Sequence, residues 1–184
     1  MQLRLPRTIR MDTTDPLVFG TGEAAEPGEF AVTGAFEFLA EEPAALTGKR
    51  RQAFANGFLG TGSFGWSTFV AVASVDAARY RAVVEALARR FVERHGAPSL
   101  EVARPVAAEE VAFAAALCQD HPVNTLLALS RFVDDSGAIC EQVRVVEPRG
   151  ERPHTAIWDI VAEEEEVPGE SVDLVALATG KGRG

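Results

Sequence analysis

The amino-acid sequence predicts an α+β fold: a mainly antiparallel sheet with two long helices packed on it, a two-layer sandwich. Three observations predict it. Tyr80, Val83, Val84, Leu87, Phe91 and Val92 recur at helical spacing, opposite a charged face of Arg81, Glu85, Arg89 and Glu93. An apolar run from Trp66 to Ala73, rich in β-branched and aromatic residues, leads into that helix. Two arms of alternating polarity, 125–133 and 138–146, flank the turn residues Asp134-Asp135-Ser136-Gly137 and read as a hairpin.

Taken in order, Leu3, Leu5, Ile9 and Met11, with Arg4, Arg7 and Arg10 between them, predict a first strand with one wet face. Asp12-Thr13-Thr14-Asp15-Pro16 stops it, Val18-Phe19 forms a brief strand, and 23–28 turns. Phe30, Val32, Phe36 and Phe38 share one face of a strand over 30–38. Glu41-Glu42-Pro43 breaks it, and a short helix within 46–58 turns Phe54 and Phe58 inward. A glycine-rich stretch, 57–65, then enters the apolar strand. There Trp66, Thr68, Val70 and Val72 face one way and Ser67, Phe69, Ala71 and Ala73 the other. Both sides are mostly apolar, so this strand is central, covered on two faces or packed in an oligomer.

Ser74 or Asp76 caps the first long helix, and Gly96 with Pro98 ends it. Pro105 opens the second, with Glu109 and Glu110 in its first turns, and the helix ends near His121-Pro122. After the hairpin come a strand over 154–161, an acidic connection at 163–166, a short helix capped by Ser171 and a frayed tail at 179–184.

The 184 residues fit a single domain over 1–184, with 47% hydrophobic and 24% charged residues. A net charge of −9 opposes a nucleic-acid phosphate surface, which needs clustered Lys and Arg. No apolar stretch reaches membrane-spanning or signal-peptide length, so no membrane partner and a cytoplasmic location are expected. Cys118 and Cys140 lack the close spacing of a redox or zinc motif and read as free buried thiols.

Gly60, Gly62 and Gly65 spell G-x-G-x-x-G, but they precede a strand rather than follow one. No helix N-terminus therefore meets a phosphate there, and a dinucleotide site is not expected. Lys49, Arg50 and Arg51 read first as a solvated helix face and second as an anion contact. His95 ends a helix, and His154 stands alone in sequence. Cys118 and His121 are spaced to meet on one helix face, as an activated thiolate pair or half of a metal site, or else as a buried thiol beside a helix-end cap. No catalytic or metal-binding constellation survives, and no cofactor is expected.

At Phe58 to Val72 (FLGTGSFGWSTFVAV), with the opening RTIRMDTTD and the closing VDLVALATG, the chain resembles a family of uncharacterised proteobacterial proteins known only as a domain of unknown function. The resemblance carries no catalytic residues and implies at most an accessory role. The expected function is a non-enzymatic cytoplasmic accessory or interaction protein that associates with itself or another protein. The alternative is a small-molecule-binding protein or enzyme with a pocket beside 57–66, drawing on Gly60, Gly62, Gly65, Trp66, Arg50, Arg51 and His121.

Overall fold

A computed structural model of the chain describes residues 2–11, 14–20 and 22–147. The expected strand at 154–161, the acidic connection, the C-terminal helix and the tail lie outside the described residues. The α+β class is as the sequence predicts, with all the strand pairing antiparallel apart from one isolated bridge.

The strands divide into two sheets. β1 (Arg4–Thr8), β5 (Phe69–Ser74), β6 (Leu126–Val133) and β7 (Ile139–Val146) form one in the order β1-β5-β6-β7. The short strands β2 (Ala31–Val32), β3 (Phe58–Gly60) and β4 (Trp66–Ser67) form the other, in chain order. The single apolar strand expected from Trp66 onward is thus broken at Thr68 and serves both sheets. Ser67 eases the break, because its hydroxyl donates to the Phe69 carbonyl at 2.7 Å. β5 is central, as its two-sided apolarity requires, between β1 and β6.

The strand expected over 30–38 is corrected: only Ala31 and Val32 are extended, and Ala35–Phe38 is a 3-10 helix. Gly34 makes the turn between them at φ +81°, and a Cβ there would stand 2.7 Å from Leu59 Cβ. Phe36 and Phe38 still reach the core from different sides of this turn, Phe36 against Phe91 and Phe38 against Phe54. Val18 likewise ends a 3-10 helix, Asp15–Val18, rather than starting a strand. Phe54 and Phe58 do not pair on one helix: α1 (Gly48–Asn56) stops first, and Phe58 belongs to β3.

α2 (Ala77–Arg94) is capped by Asp76, whose carboxylate accepts from the Arg79 amide at 2.8 Å. α3 (Leu100–Cys118) starts five residues before Pro105, capped by Ser99. Pro105 lies inside this helix, on its exposed side. Its missing N–H leaves the Glu101 carbonyl, also on an exposed residue, to solvent rather than to the core. α3 packs against β1 and β2, and α2 packs on α3. Alanines at 103, 107 and 114, all buried, allow that close approach.

The hairpin forms where expected. Asp134 Oδ1 accepts from the Ser136 and Ala138 amides, each at 2.9 Å, while Gly137 takes φ +83°.

One buried charge ties these parts together. The Arg131 side chain on β6 has no exposed surface; its Nε donates to Glu141 on β7 at 2.8 Å. Its Nη1 donates to the Phe54 carbonyl at 2.6 Å and its Nη2 to the Thr33 and Gly57 carbonyls at 2.5 and 3.3 Å. Arg131→Met should cost about 3–5 kcal/mol in urea unfolding, since it strands Glu141 and several carbonyls without donors. Arg131→Lys should recover little, because an ammonium cannot span the fork.

Candidate functional site

The glycine-rich stretch is a hairpin between β3 and β4 whose donors are already engaged. Glu29 fills it: Oε2 accepts from the Gly62 and Ser63 amides at 2.6 and 2.7 Å, and Oε1 from Ser63 Oγ at 2.5 Å. The backbone does form an anion cradle, with the protein's own carboxylate as the anion. A Cβ on Gly60 or Gly62 would meet that carboxylate at 2.7 and 2.9 Å, and one on Gly65 would meet the Ala24 backbone at 2.4 Å.

Trp66 is 5% exposed and stacks, tilted, 5.2 Å from Phe38. The cavity at its side, lined by Ile9, Arg10, Phe19 and Phe69, holds about 10 Å³, no more than one water. Arg50 reaches the same aromatic group from elsewhere, 4.3 Å above the Phe38 ring, and its charge is taken by Glu41. Arg51 opens instead onto a separate cleft of about 350 Å³ with Glu42, Phe54 and Phe132. His121 follows the end of α3, where its carbonyl accepts from Arg4 Nη1 at 2.7 Å. The expected site residues are therefore spread over four places rather than gathered around one pocket.

Cys118 is fully buried, and burial pushes its thiol up to about 12, against the smaller opposing pull of Arg4. A thiolate nucleophile there is disfavoured. Among the described residues no group of three or more His, Cys, Asp or Glu is placed to hold a metal, and no helix is long and apolar enough to cross a membrane.

A larger groove of about 810 Å³ lies elsewhere among the described residues, between the 3-10 helix Ala35–Phe38 and the α2–α3 pair. Phe36, Leu39, Phe91, Pro98, Val102 and Val106 supply its apolar lining. At its base Glu37 accepts from Arg90 Nε at 2.9 Å and lies 3.2 Å from His95 Nε2. The His95 ring stands edge-on to Phe36 and Phe91, with centroids 5.4 and 5.8 Å away. Phe64 links the glycine hairpin to this network, its ring 4.8 Å from the Arg90 guanidinium. It does so at φ +54°, an uncommon conformation for a bulky side chain.

None of Glu37, Arg90 or His95 was legible as a site from spacing. They are 53 and 58 positions apart from Glu37, on elements that meet only in the fold. The one signal was a charge, Glu37, placed within an aromatic run.

Burial pushes the Glu37 carboxyl up, but the hydrogen bonds and charges of Arg90 and His95 outweigh it and hold it below the ordinary carboxylate range. Its stabilisation is thus present above the unfolded Glu value, about 4.3, and lost as pH falls through the lower folded value. Chemical denaturation of Glu37→Gln against pH should show a deficit at neutral pH that closes on acidification; a pH-independent deficit would mean the ion pairs contribute nothing. Cys140 is partly exposed rather than buried as expected, so Ellman's reagent should label it in the native protein well before Cys118. Gly65→Ala should lower the melting temperature sharply, as the Ala24 backbone has to move.

No curated protein and no solved structure matches the chain. The model of the family of unknown function DUF6505 matches residues 1–162, so the hairpin, the groove and the whole described core fall within it. The chain belongs to that family.

Proposed function

We propose that this is a non-enzymatic bacterial accessory protein, working in the cytoplasm, that acts by binding protein through the α2–α3 groove. The carrying observation is the groove's exposed apolar rim. Leu39 is 75% exposed, Val102 55% and Val106 50%, and they stand together around one concavity. Scattered apolar residues on a surface are ordinary; a contiguous set lining a groove marks a contact site. The polar groups beneath it satisfy one another, Glu37 pairing with Arg90 and contacting the His95 ring, which suits a shaped floor.

A second reading rests on a different feature of the same groove. His95, oriented by a carboxylate at the edge of an apolar concavity, has the arrangement of a general base, so a small-molecule enzyme would place its chemistry there rather than beside Trp66.

Val106→Glu separates the two. Under the binding reading it abolishes protein contacts seen by native cross-linking, while Phe132→Ser on the far hairpin leaves them intact and both variants melt as the wild type does. Cross-links that survive Val106→Glu would refute the reading. His95→Gln should leave the same cross-links unchanged, whereas under the enzymatic reading it removes a ligand-induced rise in melting temperature found by metabolite screening.

A further inference from the structure

We infer that the occupant of this groove is a second copy of the chain, docked antiparallel along α3; the inference rests on the protein-binding reading and names its partner. Val102, Val106 and Phe113, the last 46% exposed, recur at intervals of four and seven and so form one stripe on the shoulder of α3. The stripe is about 16 Å long at 1.5 Å per residue, enough for helix-on-helix contact over three turns. Nothing among the described residues covers it.

The charges along the stripe are what select a second copy. Arg94 and Glu110 both line the groove, and neither has a hydrogen bond or an ion pair with another described residue. Glu110 is half-buried, and the charges of Glu141 and Glu109 add to burial in disfavouring its ionised form. Among the described residues it has no ion-pair partner, and Arg94 has a charge to offer. Within one copy the two stand apart. α2 and α3 pack as a hairpin joined by residues 95–99, which places Arg94 beside the start of α3 near Val102. Glu110 comes eight positions after Val102, about 12 Å along the helix.

A two-fold axis across α3 at Val106 exchanges those ends. It sets Arg94 of each copy against Glu110 of the other and packs the two apolar stripes together. An isologous interface has to be complementary to itself, and an apolar centre flanked by one positive and one negative end meets that requirement. A foreign acidic or basic peptide would satisfy only one of the two ends.

Sedimentation equilibrium of the full chain tests this. The wild type should be a dimer, and Arg94→Glu and Glu110→Arg should each weaken association about tenfold or more without a change in melting temperature. An equimolar mixture of the two should regain wild-type affinity as a heterodimer, because each reversed end then meets its complement. Val106→Cys in a Cys140→Ser background should cross-link copy to copy on mild oxidation, a readout that does not depend on either charge variant folding. The inference is overturned by a monomeric wild type across the micromolar range, by a mixture no tighter than its components, or by a Val106→Cys protein that stays reduced. If the wild type is monomeric while Val106→Glu still abolishes cross-links to other proteins, the binding reading stands and only the second copy falls. If those cross-links persist as well, both fall.

Discussion

A guanidinium with no exposed surface, that of Arg131, holds together parts of the chain that are nearly a hundred positions apart. Burying such a charge is costly, and it is sustained here because every nitrogen has a partner: Glu141 on the neighbouring strand, the last carbonyls of α1, and the carbonyls of Gly57 and Thr33. Those carbonyls belong to the end of a helix and to the turn before Gly34, where backbone acceptors have no repeating partner of their own. Arg131 thereby fixes where α1 stops, and with it the entry into β3 and the angle at which Phe36 and Phe38 reach the core. Arg4 does the same for α3 on a smaller scale, donating to the carbonyls of Gln119 and His121. In both cases an arginine on a strand closes the C-terminal end of a helix packed against the sheet.

The glycine hairpin follows a similar logic with the signs reversed. Its amides converge as they would around a phosphate, but Glu29 reaches them first, and the close approach of that carboxylate explains Gly60 and Gly62 better than any ligand does. What the hairpin projects is Phe64, which holds Arg90 over the floor of the α2–α3 groove. The groove is therefore braced from two sides, by the hairpin through Phe64 and by the turn of Ala35–Phe38 through Glu37. Its rim differs from its floor: Leu39, Val102 and Val106 stand exposed and unpaired with one another across an open space.

Much of the architecture was legible in the sequence, for local reasons. α2 has a strict helical period and a carboxylate cap. The β6–β7 hairpin has alternation and Asp134-to-Gly137 turn chemistry, and β5 has two apolar faces. Each of these signals is complete within one contiguous stretch of chain, so no distant contact was needed to read it. Where the reading failed, a local pattern had two solutions: Phe36 and Phe38 fit a strand or a tight 3-10 turn, Pro105 fits a helix start or an exposed interior position, and Trp66 to Ser74 fits one strand or two. The surroundings chose between them.

The candidate site lay beyond that reach. By itself the sequence determined the helix α2, the central strand β5, the β6–β7 hairpin and their apolar faces, and that Gly60 to Gly65 precede a strand rather than a helix, because these follow from residue type and spacing along the chain. Only the tertiary structure decided that Glu29 occupies the glycine cradle, that Arg131 is buried between Glu141 and the carbonyls of Thr33, Phe54 and Gly57, and that Glu37, Arg90 and His95 meet beneath an apolar groove. A partner for a charge or a donor is chosen by proximity in space, and residues dozens of positions apart carry no mark of it until the chain has folded.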